Sequence, residues 1–472
     1  MEQVMEMKLD EQPINNEGKL SIKTKLSYGL GNLSANLVIT TANAFISYFY
    51  TDSVGIAAAM VGIILLAGRI LDGIADIVMG IVVDRTKTKY GKARPWLLRL
   101  ALPYGLAMVL LFTTPSLGEN GNMVYALVSY LFAMFIYTGI NVPYNTLLAM
   151  QTQEQNERTQ LSAYRTSIGF VGALLINIVT IPLVNALGGG SQGWLIMAII
   201  YGAIGSALYF NCFLNCREMT AEESLRDIGL GKVKEPSLRD GVKSLLKNKY
   251  WVMVIIMGVI GNLTAGLGGV NIYYAQYVLG NPNLVGVIGL ASFLPIIAGV
   301  VMSGPLMVKF GKRNISMAGC VVAIIGCIPL AVGYDNIPMI VAGLIVRGLG
   351  SAPILVASLA MISDSLEYGE WKTGVRAEGL TFSAQSFSEK VGAGLGGALL
   401  GGILALGGYV GGAAEQSASA IMAMKIAFIY AQAGLMVIVL AMLYFYHLDE
   451  EYPQILAELQ ARKGILSKKQ VE

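Results

Sequence analysis

The sequence predicts an all-α integral membrane protein of twelve transmembrane helices in two six-helix halves, and three observations lead there. Of the 472 residues, 55% are hydrophobic and only 13% are charged, about half the charged share of an ordinary soluble domain. Twelve apolar runs are long enough to cross about 30 Å of hydrocarbon at about 1.5 Å of rise per residue. They are 27–50, 57–83, 96–115, 123–149, 164–187, 194–216, 250–277, 284–308, 315–334, 337–363, 378–410 and 420–447. Finally, 27 of the 33 Lys and Arg residues fall in the two tails and in alternate connections between these runs.

The first segment, 1–26, is polar and mixed in charge, with no apolar core and no small-residue cleavage site, so no cleaved signal peptide is expected. Connections 51–56, 116–122, 188–193, 279–283, 335–336 and 411–419 contain no Lys or Arg, whereas 84–95, 150–163, 217–249, 309–314 and 364–377 carry them. That asymmetry places both termini in the cytoplasm. The stretch 217–249 is charged, contains Gly231 and Pro236, and reads as a linker. The domain reading is a cytoplasmic tail 1–26, a bundle 27–216, a cytoplasmic loop 217–249, a second bundle 250–447 and a cytoplasmic tail 448–472.

Composition also excludes function classes. With 30 acids against 33 bases, there is no charge excess to follow a phosphate backbone, so nucleic acid is not an expected partner. His447 is the one histidine, and Cys212, Cys216, Cys320 and Cys327 lack metal-ligand spacing, which argues against a structural zinc and a histidine-based triad. The cysteines read as small buried hydrophobes. Glycines cluster in the eleventh run at 392, 394, 396, 397, 401 and 402; Gly397 and Gly401 have the spacing of a close helix contact, and no strand precedes them as a phosphate cradle requires.

The six bases outside the loops, Arg69, Arg99, Arg165, Arg347, Lys390 and Lys425, sit where charge is costly and marks function. Arg347 reads equally as a brace of the tenth helix or a substrate contact, and Lys425 as a helix-packing or snorkelling residue. In the second run Arg69, Asp72 and Asp76 fall at i, i+3 and i+7, on one helical face. Two carboxylates one turn apart resist joint ionisation, and a cation or a proton relieves them. A static network in which Arg69 neutralises one Asp is the alternative, and it leaves the second carboxylate unexplained.

A faint repeat links the halves: Gly80 to Asp84-Arg85 followed by Gly91-Lys92-Ala93-Arg94, and Gly304 to Lys309 followed by Gly311-Lys312-Arg313. Paired six-helix halves with such hairpins look like the major facilitator architecture, in which halves rock about a midplane site. The run from Arg69 through Asp72, Asp76, Gly80, Asp84 and Arg85 to Gly91, Lys92, Arg94, Pro95 and Trp96 resembles the glycoside-pentoside-hexuronide:cation symporters. So do Tyr28-Gly29, Tyr48 to Asp52, Asp364 to Trp371 with Arg376 and Glu378, and the tail from Leu448 through Tyr452 and Leu459 to Arg462. The resemblance implies that Asp72, Asp76 and Thr138 bind the coupling cation, H⁺ or Na⁺, and that no other cofactor is needed. Ala75 stands where the family's best-known member has an Asn; one oxygen fewer tilts the expectation toward H⁺.

The same resemblance implies a sugar site at Asn36, Tyr137, Asn141, Asn145, Arg165, Ser386 and Lys390. Amides at 36 and 141 stand where that member has aspartates, which implies a sugar other than an α-galactoside, with a hexuronide possible through Arg165 and Lys390. Cytoplasmic gating is expected from Asp84, Arg85 and Arg94 with the acidic loop Asp364, Glu367 and Arg376. In the tail, Tyr452, Ile455 and Leu459 form an amphipathic stripe expected to lie on the cytoplasmic side or the membrane surface. The expected function is import of a sugar by cation symport across a bacterial cytoplasmic membrane. A proton-antiport exporter of a drug or metabolite is the alternative; an enzyme lacks its nucleophile and base, and a receptor would add a signalling domain.

Overall fold

The computed structural model describes residues 20–152, 154–219, 238–375 and 378–469. The chain divides into two compact units, Met1–Gly231 with Tyr409–Gln416, and Lys232–Gly408 with Ser417–Glu472. Each is helical.

The first unit contains α1 (Ile22–Thr41), α2 (Ala58–Arg85), α3 (Arg94–Leu111), α4 (Gly118–Gln151), α5 (Gln155–Ala186) and α6 (Gly190–Asn215). Ser21 starts α1 by accepting the Thr24 N–H at 3.1 Å, the usual N-cap solution for an unsatisfied first-turn donor. Beyond Thr41 the helix continues through π-helical turns at Ala42–Ile46 and Phe49–Ser53. There Phe45, Phe49, Phe112 and Trp194 form an aromatic cluster, with Phe112 stacked on Trp194 at 5.4 Å. Lower down, Tyr28 stacks on Tyr144 at 4.7 Å and each hydroxyl donates to the other's carbonyl, locking α1 to α4. Lys25 and Glu157 form a buried ion pair at 2.9 Å that ties α1 to α5. The strap Tyr409–Gln416 is fastened to this unit by Asp52, which accepts from the Tyr409 hydroxyl at 2.5 Å and the Gly412 N–H at 3.2 Å.

The second unit holds a short helix, Leu238–Leu246, then α7 (Lys249–Val278), α8 (Leu284–Phe310), α9 (Lys312–Val332), α10 (Ile337–Thr373), α11 (Glu378–Leu406), α12 (Ala418–Tyr444) and α13 (Leu448–Lys469). Small residues bring its helices together, as in other membrane bundles: Gly319 meets Gly350, and Gly326 meets Gly343. Against α7, α11 uses Gly392 and Gly396. All four cysteines are buried and none is in a disulfide.

Ten helices are long and apolar enough to cross a membrane among the described residues. The run 27–50 is helical as well, in α1 with its π turns, and so is 96–111 of the run 96–115, in α3. The acidic stretch Asp364–Glu370, expected as a loop, is instead the last turns of α10. The helix runs on through Pro353 and Gly369 to Thr373, and Gly374, with a φ of 71°, closes it, a conformation that favours glycine. The stripe of α13 is buried on the second unit: Ile455 and Leu459 join Tyr250, Tyr368 and Tyr446 in one apolar cluster.

Candidate functional site

Arg69 and Asp72 are 7% and 1% exposed, and a charge this deeply buried requires a partner. Their charged groups lie 3.9 Å apart. The Asn43 amide oxygen, from the π turn after α1, accepts from Arg69, and the Thr138 hydroxyl of α4 donates to Asp72. Three helices therefore converge on one ion pair. Gly68 lets α4 approach this closely, since a Cβ there would strike the Tyr130 ring. Asp76, one turn on, is half-buried. Arg69, Asp72 and Asp76 sum to one net negative charge, and Tyr137 stands within the field of all three and of Arg165. Ala75 contributes no side-chain oxygen.

Five of the residues implied for sugar lie in the first unit. Asn36 is largely committed to structure: its amide donates to the Asn32 and Gly169 carbonyls, both at 3.1 Å, and accepts from Thr40 at 3.1 Å. Of its four hydrogen-bonding positions, one lone pair remains. Tyr137, Asn141 and Asn145 are half-buried on α4, and Asn145 Oδ1 is buried without a hydrogen-bond partner among the described residues, an acceptor of the kind a sugar hydroxyl satisfies. The Arg165 guanidinium lies over the Tyr144 ring at 5.6 Å, held by the Tyr28–Tyr144 stack. In the second unit Ser386 is exposed and Lys390 half-buried on α11.

The residues implied for gating divide in the same way. Asp84 and Arg85 are exposed at the end of α2. Arg94 is buried, donating to the Phe213 carbonyl at 2.7 Å. Asp364 pairs with Lys312 of its own unit, and Glu367 accepts from Tyr452 of α13; Arg376 lies outside the described residues. Burial, with the Glu367 carboxylate beside it, pushes the Tyr452 phenol well above its ordinary value, so it stays a donor. Arg347 donates to the Phe428 carbonyl at 3.0 Å, and Lys425 sits 3.2 Å from the centre of the Tyr334 ring.

A family model described as MFS/sugar transport protein matches residues 27–450. The chain belongs to that family. The isoprimeverose transporter of Lactiplantibacillus pentosus is 35% identical over 93% of this chain and 91% of its own length. The putative glycoside/cation symporter YagG of Escherichia coli K12 is 31% identical over 87% and 88%. The structure of the nucleoside transporter NupG matches with a TM-score of 0.62 over 89% of this chain and 98% of that one, at 14% identity, a likeness of fold alone. The resemblance to glycoside-pentoside-hexuronide:cation symporters therefore holds, and this MFS protein is a multi-pass membrane transporter, not an enzyme.

Several partners within this MFS chain escape sequence reasoning. Asn43 holds Arg69 from 26 residues away, with no local pattern to announce it. Glu218, just past α6, accepts the N–H groups of Lys92, Ala93 and Arg94 at 2.7, 2.8 and 2.7 Å, closing the start of α3 where only glycine fits at 91. Asp449, just past α12, accepts the Arg313 N–H at 2.8 Å at the start of α9. The hairpin repeat in the sequence was the available signal for this second, carboxylate-capped repeat.

Proposed function

We propose that the chain imports an uncharged or acidic glycoside or pentoside together with one monovalent cation, by alternating exposure of a central site as its two units rock. The observation that carries the cation reading is the charge of the α2 cluster. With Arg69 set against Asp72, the three side chains still sum to minus one, so one proton or alkali ion makes the cluster neutral. Closing a polar cavity around a charged carboxylate is costly, so the sugar-loaded carrier crosses readily when the cation is bound as well. Thr138 and the two carboxylates would be the cation's oxygens, and the lack of one at Ala75 favours H⁺ over Na⁺, which takes several oxygen ligands. Asn141, Asn145, Tyr137, Arg165, Ser386 and Lys390 would be the sugar's partners.

The names of the relatives support a glycoside as substrate and a cation as driver. The distribution of Lys and Arg supports both termini in the cytoplasm. The test is sugar-induced alkalinisation of the medium around de-energised cells, across a panel of glycosides, pentosides and hexuronides, with and without Na⁺. Proton symport predicts alkalinisation by at least one sugar and none with Asp76→Asn. Sugar uptake stimulated by Na⁺ without proton movement would assign the other ion, and normal transport by Asp76→Asn would make the carboxylates structural. An exporter would lower the sugar content of energised cells instead of raising it.

A further inference from the structure

Four lysines gather where the short helix Leu238–Leu246 meets the start of α7 and the end of α10. They are Lys243, Lys247, Lys249 and Lys372, all exposed, and none has a carboxylate in ion-pair contact among the described residues. The Lys372 ammonium donates to the Lys247 carbonyl at 3.4 Å. It also lies 5.4 Å from the centre of the Tyr368 ring, as Lys249 lies 4.5 Å from that of Tyr250. A carbonyl and two rings orient these ammonium groups without cancelling their charge.

The short helix is fastened in place. Ser244 and Thr373 share a hydrogen bond at 2.7 Å, Leu245 packs on Trp251 with Leu380 and Ala384 of α11 against them, and the Asn248 amide donates to the Ser365 carbonyl at 2.6 Å. At about 100° per residue, the buried Gly241, Ser244 and Leu245 take one arc of the helix, Val242 and Leu246 the next, and Lys243 and Lys247 the third. Val242 and Leu246 are 43% and 68% exposed. An exposed apolar strip bordered by lysines is the pattern of a helix lying in a bilayer surface. Its height agrees. Ser365 stands two residues past the apolar run 337–363, so its partner Asn248 is near the edge of the hydrocarbon. Lys243, five residues earlier, is then no more than about 8 Å farther out, inside a headgroup layer of about 5–8 Å. Trp251, 9% exposed, has an indole N–H with no acceptor among the described residues, although a buried indole usually finds one.

We propose that this surface binds an anionic phospholipid, with its phosphodiester among Lys243, Lys247, Lys249 and Lys372 and an acyl chain along Val242 and Leu246. Ammonium groups bind phosphate as point charges, and each lysine near an anionic bilayer adds attraction that salt screens. A phosphate or ester oxygen is also an acceptor of the kind the Trp251 indole lacks. Inorganic phosphate would use the lysines and leave Val242 and Leu246 bare. The assignment goes beyond the sugar and cation reading and shares no residue with it, so either can fail alone.

The experiment titrates the purified full chain, in a neutral detergent, with dioctanoyl phosphatidylglycerol or dioctanoyl phosphatidylcholine and measures bound lipid by native mass spectrometry. Wild type should bind the phosphatidylglycerol at least about ten times more tightly. Lys243→Gln combined with Lys247→Gln should weaken that binding about 30-fold, roughly fivefold for each lysine, and leave phosphatidylcholine unchanged. Lys23→Gln combined with Lys87→Gln removes the same charge from exposed positions of the first unit and should change neither lipid by more than about twofold. Val242→Ser combined with Leu246→Ser should weaken both lipids and keep the preference between them. Equal phosphatidylglycerol binding by the two lysine doubles overturns the assignment and leaves the face to an acidic protein, and a wild type without preference between the lipids overturns it as well. Displacement of phosphatidylglycerol by millimolar inorganic phosphate, with no effect of the serine double, would make this a free-anion site instead.

Discussion

The two charged regions inside the membrane are built on opposite plans. In α2 the Arg69–Asp72 pair is buried and gripped from two other helices, by Asn43 and by Thr138. In α11 Ser386 and Glu389 are accessible and lie along one helix. The first arrangement fixes charge geometry before anything binds, as a site for a bare ion or proton requires. The second leaves side chains free to adjust to a larger ligand. A region's tolerance to substitution should therefore differ between the two, and the difference can be measured.

The largest expected effect removes one half of the buried pair. Asp72→Asn leaves a guanidinium buried without its carboxylate, a loss of about 3–5 kcal/mol in comparable buried pairs. The purified carrier in detergent should melt well below wild type, and adding Arg69→Met to Asp72→Asn should recover most of the loss. Glu389→Gln, at an exposed position, should move the melting temperature little, because substitutions at such positions change stability by about 0.5 kcal/mol or less. Equal destabilisation by Asp72→Asn and Glu389→Gln would erase the contrast.

Next in size is the loss of coupling. One charge moved down about 100 mV supplies about 2.3 kcal/mol, or about 50-fold accumulation at equilibrium. Asp76→Asn should reduce the accumulation ratio in energised vesicles to about one, while sugar counterflow continues. Retained accumulation would mean that the net charge of the cluster does not drive transport.

A smaller effect isolates the grip itself. Asn43→Ala removes a hydrogen bond to a charged group, a change of about 1.5 kcal/mol, and frees Arg69 to leave Asp72. The cation concentration for half-maximal uptake should shift about tenfold, with the sugar KM at saturating cation unchanged. Movement of the sugar KM alone would place Asn43 with the substrate instead.

Much of this fold was legible because the bilayer imposes simple rules: length of apolar run, side of the basic residues, and cost of charge. Arg69, Asp72 and Asp76 stood out by helical spacing, and the structure puts them on one face with Thr138 beside Asp72. Helix ends were less legible, since hydropathy marks where lipid stops and not where hydrogen bonding stops, as α10 shows by running on to Thr373. Long-range partners were hidden altogether. Nothing around Asn43 or Glu218 distinguishes either from an ordinary polar residue, because their roles depend on which helix lies opposite. Asn36, placed by resemblance in the sugar site, also holds α1 to α5 by donating to the Gly169 carbonyl.

The smallest prediction is the sharpest test of the open plan. Ser386 is exposed on α11, one turn before Lys390. If it meets the sugar, Ser386→Ala forfeits one neutral hydrogen bond, about 0.5–1.5 kcal/mol, and the KM for sugar rises about 2- to 12-fold with kcat unchanged. The melting temperature should stay at the wild-type value. The matching change in the gripped region, Thr138→Ala, removes the donor to a buried carboxylate, and should lower the melting temperature and weaken cation activation together. Were Ser386→Ala to melt early, or Thr138→Ala to alter only sugar affinity, the contrast between a gripped cluster on α2 and an accessible face on α11 would fail.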